Sequence, residues 1–401
     1  MEETMTQPPV TPVAPQATPQ GPATVAGFAR ALKTEEMVIS MGPQHPSTHG
    51  VLRLELVVDG EVVVDVIPHI GYLHRCFEKH CEHMTNYQQV IPYADRMDYV
   101  AAMSNELGSV VAAERLLKIT VPERVEYIRV IMAEFSRIVS HLIAIGTYGM
   151  DIGAFTPFLY CMRDRERVLD IFEQTCGARL LYNYMWIGGL SHDVPANFAE
   201  KVNDFCRYFR PKIRELNDLL SYNKIFIKRT ANVGVLPAAV ALNYGVSGPV
   251  LRGSGVAWDL RKNDPYSVYG KLDFEIPVGK GLKGTVGDCW DRYMVRVHEM
   301  EQSVNIIEQA VAKLPPGDIA AAIPKRIRPE AGDIYARTET PKGELGYYIV
   351  ADGTASPFRV KVKSPCFVNL SALPAMSRGA MIADIVAILG SIDIVLGEVD
   401  R

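Results

Sequence analysis

No apolar run in this chain is long enough to cross a bilayer uninterrupted. The longest tract, Met381–Val399, is broken by Asp384, Asp393 and Glu398, so it does not read as a membrane span. No Cys-x-x-Cys pair occurs. The seven cysteines (Cys76, Cys81, Cys161, Cys176, Cys206, Cys289 and Cys366) are scattered and odd in number, which argues against a disulfide framework and for a reducing compartment. No basic segment leads into an apolar one near the start, so no secretory leader is expected. Net charge is −4, which leaves no electrostatic footprint for nucleic acid and no polybasic membrane anchor. A peripheral role at a membrane stays open, because docking on a membrane-bound partner leaves no such mark.

What is present suits a large globular body. Of 401 residues, 48% are apolar, enough for two or three average domains or one large one. Residues 1–25 are rich in Pro, Thr, Gln and Ala. Such a segment cannot offset its ordering entropy, so residues 1–35 are expected to form a disordered tail. Residues 36–401 are expected to form one domain, with a β-rich part at 36–85, a helical bundle at 86–225, and irregular, β and closing helical parts at 226–401. Val51–Val58 and Glu61–Val66 flank Asp59-Gly60, which predicts a hairpin with a type I′ turn. Val125, Ile128, Met132, Phe135, Val139 and Leu142 follow a 3,4 spacing, widened by Ile131, Ile138 and Ile145. That breadth predicts a helix buried in a bundle, with Pro122 in its first turn. Further helices are predicted at Glu166–Cys176, Phe198–Leu220, Tyr293–Leu314 and Met376–Leu389, and a second hairpin at Leu345–Val350 and Phe358–Val362. The class is α+β.

Three constellations carry possible chemistry. His74, Cys76, Glu78, His80, Cys81, Glu82 and His83 are dense in ligand types. Their spacing matches no zinc pattern, and a polar, partly exposed helix start is the commoner reading. Gly279, Gly281 and Gly284 fit G-x-G-x-x-G, but outside a βαβ unit, and neither a Walker A lysine nor a G-x-S-x-G elbow is present. Nicotinamide binding and nucleophilic hydrolysis are therefore disfavoured. The third set is dispersed: His49 in the loop GPQHPSTHG, Tyr99 in DRMDY, and Asp151 in GMDIGA. Pro43 and Pro46 forbid a regular helix in the first loop. An imidazole and a phenol can grip two carbonyl oxygens and deliver protons, and a carboxylate orients the imidazole. Spacing alone does not bring the three together, and a lone His or Tyr is more often a satisfied core residue.

The segments GPQHPSTHG, PHIGYLHRCFEK, PYADRMDY, MDIGAFTPF, CGAR, GPVLRGSGVAWDLRK, GDCWDRYMVRVHEMEQS and DIVLGEVDR are similar to the D subunit of NADH–quinone oxidoreductase, called the 49 kDa subunit in mitochondrial respiratory complex I. The resemblance runs from about residue 36 to Arg401. It implies a fold like that of the nickel–iron hydrogenase large subunit. In those hydrogenases four cysteines hold the metals; here Asp98, Ala101, Val395 and Glu398 stand in the matching places. All four thiolates are missing, and such a metal needs soft donors. The resemblance implies that the emptied site is a quinone pocket, with His49 and Tyr99 as head-group ligands and Asp151 paired with His49. It places Arg75 and Arg96 near a [4Fe-4S] cluster held by the neighbouring subunit, where positive charge favours the reduced state.

No metal or other cofactor is expected on this chain itself; quinone is the substrate. The partners implied are other complex I subunits: the B subunit, which carries the terminal cluster, the C and I subunits, and the membrane subunits H and A. The location implied is the cytoplasmic face of the inner membrane. Competing readings are the same core in a ferredoxin- or F420-linked quinone oxidoreductase, a non-catalytic assembly scaffold, and a metal hydrolase using His74–His83. Three departures stand out: Leu181 where many members have a histidine that couples protonation to the cluster, Cys76 where glycine is usual, and one inserted residue between Thr85 and Pro92. Leucine cannot titrate, so a cluster potential with little pH dependence is expected.

Overall fold

The computed structural model describes residues 35–324 and 327–401; the expected tail, apart from Glu35, lies outside the described residues. Residues Glu36–Arg401 pack as one unit. Strands β1 (Glu36–Met41), β2 (Arg53–Asp59) and β3 (Val62–His69) form an antiparallel sheet in that order. Alternation along β2 buries Leu54, Leu56 and Val58 on one face, the period expected of a half-buried strand. The β2–β3 turn is Gly60-Glu61, since Asp59 pairs with Val62. Only Gly60 has a positive φ there. A type I′ turn needs two such residues, so the expected turn is shifted by one residue and of another type.

Helix α1 (Phe77–His83) leads to α2 (Ala102–Leu117), α3 (Glu123–Asp151), α4 (Phe155–Cys176) and α5 (Phe198–Leu216). The apolar stripe of α3 is buried along its whole length, and α3 packs against α2, α4 and α6 (Cys289–Ala312). The bundle thus draws a central member from beyond residue 225. Pro122 is the residue capping α3, one place ahead of its expected first-turn position. Helix α4 begins eleven residues earlier than the expected Glu166, because Phe155 and Leu159 face outward and break the apolar period there.

A second antiparallel sheet holds β4 (Gly332–Thr340), β5 (Gly343–Ala351) and β6 (Arg359–Lys363), and its first two strands pack on α2. It has one strand more than the expected hairpin. The closing segment is α7 (Pro365–Ser371), α8 (Leu373–Ser377), α9 (Ile382–Ile392) and α10 (Leu396–Asp400). The single helix expected over Met376–Leu389 is split at Gly379, whose φ is +79°, a conformation that glycine adopts without a steric cost.

Candidate functional site

The GPQHPSTHG loop joins β1 to β2. Gly42 has φ +86°, and a Cβ there would collide with the Leu52 carbonyl oxygen, so no other residue fits. His45 serves the loop itself: its Nδ1 accepts the Ser47 N–H at 3.3 Å, and its carbonyl accepts the Thr48 hydroxyl at 2.8 Å. Residues Pro46–Thr48 make one short helical turn, and His49 ends it in the left-handed region, φ 53°.

His49 Nε2 lies 3.0 Å from Asp151 Oδ2, and their side chains are 16% and 4% exposed. The approach lies off the hydrogen-bonding direction, and neither atom has another hydrogen-bond partner among the described residues. The two side chains are within ion-pair distance without a formed hydrogen bond. Asp151 is the last residue of α3, where the helix carbonyls already concentrate negative potential, so a cation alongside is doubly favoured. A methyl group on Gly390 of α9 would come within 3.7 Å of Asp151 Oδ2, so α9 forms a wall of this corner.

Tyr99 lies before α2 and is half-buried. Burial and the neighbouring Asp98 raise its phenol above the ordinary tyrosine value, against the opposing pull of Arg75 and Lys342. It reaches the same wall as the histidine loop. A methyl group on Gly50 would stand 3.2 Å from Leu396 Cδ1, while one on Gly397 would stand 2.6 Å from the Met97 carbonyl oxygen, 3.0 Å from Arg75 Nη2 and 3.1 Å from Tyr99 Cε1. The loop of His49 and the ring of Tyr99 therefore abut consecutive residues of α10.

The positions Asp98, Ala101, Val395 and Glu398 lie around the same junction. Asp98 Oδ1 accepts the N–H groups of Val100 and Ala101 at 3.1 and 3.2 Å. Glu398 Oε2 accepts the Cys366 N–H at 3.2 Å, and the Val395 N–H donates to Cys366 Sγ at 3.4 Å. Lys342, from the β4–β5 turn, sits with Nζ 2.5 Å from Asp393 Oδ2. Sequence reasoning misses Lys342, Cys366 and Asp393 as members of this cluster; no local motif links positions so far apart.

Arg75 and Arg96 line a recess of about 220 Å³ together with Arg401, His80 and Tyr93. Both are exposed, and among the described residues none of the three guanidinium groups pairs with a carboxylate. An ordinary buried ion pair is thus excluded for Arg75 and Arg96. Arg75 donates to the Arg96 carbonyl and Arg96 to the Pro92 carbonyl, which holds both side chains at the recess. The rest of the His74–His83 run has other employment. His74 Nδ1 is 2.6 Å from the Asp400 carbonyl oxygen, Glu78 pairs with Lys361 at 3.0 Å, and Glu82 pairs with Arg359 at 2.7 Å. Among the described residues no group of three metal-ligating side chains is placed to hold an ion. In the glycine-rich loop, the Gly281 N–H is taken by Asp291 Oδ2 at 2.8 Å, tying the loop to α6. Leu181 adopts φ 59° and packs against the core.

No helix among the described residues is long and apolar enough to cross a membrane. The family model described as respiratory-chain NADH dehydrogenase, 49 Kd subunit, matches residues 151–330 and 321–401. The NADH-quinone oxidoreductase D subunit of Chlorobaculum tepidum is 62% identical over 374 residues, spanning 92% of this chain and 93% of that protein. The D subunit of Chlorobium luteolum is 61% identical over 374 residues, covering 92% and 94%. That of Prosthecochloris aestuarii is 56% identical over 387 residues, covering 96% of each. The chain belongs to the D-subunit family of NADH-quinone oxidoreductase, the 49 kDa subunit of respiratory-chain NADH dehydrogenase, and is part of that oxidoreductase complex.

Proposed function

We propose that this chain lines the quinone-reduction cavity of a proton-translocating NADH–quinone oxidoreductase, with Tyr99 and His49 as the groups that hold the quinone head. The observation carrying this is the meeting of the His49 loop and Tyr99 on Leu396 and Gly397, with His49 and Asp151 each lacking any other partner among the described residues. An imidazole and a phenol at the two ends of one wall suit the two carbonyl oxygens of a quinone. Tyr99 keeps its proton at neutral pH, since burial raises its phenol, so it is a donor and not a phenolate. When His49 gives up a proton, Asp151 loses its counter-charge, and that change at the end of α3 is the event we assign to coupling with the membrane part.

The fold of the nickel–iron hydrogenase large subunit remains the ancestry we infer, with Asp98, Ala101, Val395 and Glu398 occupying the former thiolate places. The recess of Arg75, Arg96 and Arg401 suits an anionic centre on a partner surface: three guanidinium groups without carboxylates want an anion. A [4Fe-4S] cluster in the neighbouring subunit, reduced by electrons from NADH, fits that demand; this chain supplies positive charge beside it and no ligands. The chain is then a peripheral component on the cytoplasmic side of the membrane, seated among the other core subunits.

Tyr99→Phe in the assembled complex tests the reading. Quinone reduction should fall by about 100-fold or more, the range for losing a positioned proton donor, while NADH oxidation by an artificial acceptor is unchanged. Full quinone turnover in Tyr99→Phe, or a photoreactive quinone that labels neither Tyr99 nor the His49 loop, would refute it in favour of a scaffold role.

A further inference from the structure

Beside Tyr99 lies a buried carboxylate that is only half satisfied. Asp98 is 0% exposed; its Oδ1 accepts two backbone N–H groups, but its Oδ2 is buried with no partner among the described residues. Glu398 repeats the pattern. It too is 0% exposed, with Oε2 bonded to the Cys366 N–H and Oε1 buried without a partner among those residues. Gly397 pressed on the Met97 carbonyl runs the chain at 97–99 alongside 397–398, and the Asp98 charge acts on Glu398.

The groups around this pair come from five directions. Lys342 from the β4–β5 turn is 2.5 Å from Asp393, and Arg296 of α6 is 3.6 Å from Asp393. Cys366 of α7 contributes its thiol. Tyr347 of β5, buried with an unpartnered hydroxyl, lies near Glu398, Asp95 and Cys81. On the outer side stand Tyr99 and Arg75. Lys342 and Asp393 neutralise each other, and neither Asp98 nor Glu398 has a cation within ion-pair distance among the described residues. Two buried carboxylates with no dedicated cation do not both ionise. Burial and the Asp98 charge raise Glu398 to about 8, and burial raises Asp98 as well.

We propose that Asp98 and Glu398 share one proton at neutral pH and return it to Tyr99 each time Tyr99 protonates the reduced quinone. The proposal rests on the quinone reading of the site. The Tyr99 O–H bond breaks as an O–H bond forms on the quinone oxygen that two electrons from NADH have reduced. The carboxyl O–H of the pair then breaks and the Tyr99 O–H re-forms. The pair, with no dedicated cation, is left doubly ionised only until a proton from water restores its O–H bond. Neither carboxylate touches the quinone, so both supply protons through Tyr99.

The test uses the intact complex. An infrared titration between about pH 6 and about pH 10 should show a protonated-carboxyl band, sensitive to deuterium, that fades near pH 8 and is missing in Glu398→Gln; its absence from the wild type overturns the proposal. In Glu398→Gln, kcat for quinone reduction should fall roughly 10-fold or more with KM for quinone unchanged and a larger solvent deuterium effect, and Glu398→Asp should restore part of it. Wild-type turnover and pH profile in Glu398→Gln overturn the proposal. Should that variant not assemble, Glu398→Asp replaces it: the band should shift in frequency or midpoint, and an unshifted band overturns the proposal. Tyr99→Phe separates the two failures. If Tyr99→Phe is inactive and Glu398→Gln is normal, only the proton store falls. If Tyr99→Phe turns over normally, the quinone reading falls with it.

Discussion

Of the buried charge clusters among the described residues, two show equal burial with opposite effects. The first lies where α3 meets α6. Glu134 contacts Arg261 at 3.1 Å and Arg137 at 3.3 Å, and accepts from Ser303 and Tyr269 at 2.6 and 2.7 Å. Glu299 contacts Arg252 at 2.8 Å and His141 at 2.9 Å. Burial works against the charge of Glu134, Glu299 and Asp259, yet the arginines hold all three below the usual carboxylate range. Only Glu339 there is raised, by burial and by Asp259, with which it shares Arg252. The second cluster, at α10, has Lys342 and the edge of Arg296 for three carboxylates, both turned to Asp393, and Asp98 and Glu398 rise instead. The number of cations within reach decides the sign. The arginine-rich cluster favours ionised carboxylates and braces the bundle; the arginine-poor one favours the protonated form.

The largest effect expected of this contrast is on stability. Arg252→Met strands Glu339 in the core and takes one cation from Glu299 and Asp259, and should destabilise the chain by about 3–5 kcal/mol, the usual result of removing one partner from a buried ion pair; chemical denaturation checks it. Gly397→Ala comes next. Its methyl group would strike the Met97 carbonyl and press on Tyr99, at a cost of about 1–3 kcal/mol, the range for overpacking, and it should weaken quinone turnover as well. Glu398→Gln is the smallest, within about 1 kcal/mol near pH 7, because a neutral amide replaces a group that is already mostly protonated.

The same contrast predicts opposite pH behaviour. Glu398 has a folded-state value of about 8, above its ordinary 4.5, so the fold favours its protonated form. Its stabilising contribution is full below about 4.5 and is lost as pH rises through about 8. Glu299 is held well below its ordinary value, so its contribution is full above about 4.5 and is lost as pH falls. His141 adds to the acid side. Burial pushes it down to about 4, so it stays neutral in the fold, and its contribution is lost as pH falls from about 6.5 towards about 4. Denaturation of Glu398→Gln between about pH 5 and about pH 9 should show a flatter alkaline decline than the parent, with the acid decline unchanged.

How much of this is legible in the sequence follows from reach along the chain. The stripe from Val125 to Ile145 reveals α3 because its period is local and unbroken. Strand β4 does not show itself: GDIYARTET is mostly polar, and its alternation is blurred by Asp333 and Arg337. Helix α10 is five residues long, too short for any period to register. His49, Tyr99 and Asp151 stand out in the sequence as chemically apt, but only the fold brings the first two onto one helix. The place of Lys342 cannot be read at all, since Lys342, Asp98, Asp393 and Cys366 come from four different segments.

The attachment of α10 sets when that site is made. The Asp400 carboxylate accepts the N–H groups of Gly71 and Leu73 at 2.9 and 2.7 Å, across 329 and 327 residues of chain, and the Arg401 carbonyl accepts that of Arg75 at 3.2 Å. Closing so long a loop is slow and entropically late. The bundle around α3 can mature from contacts between neighbours, whereas the wall shared by His49 and Tyr99 exists only once distant stretches of polypeptide have clasped. A refolding chain should therefore protect the amides of α3 before those of α10, which pulsed hydrogen exchange would read.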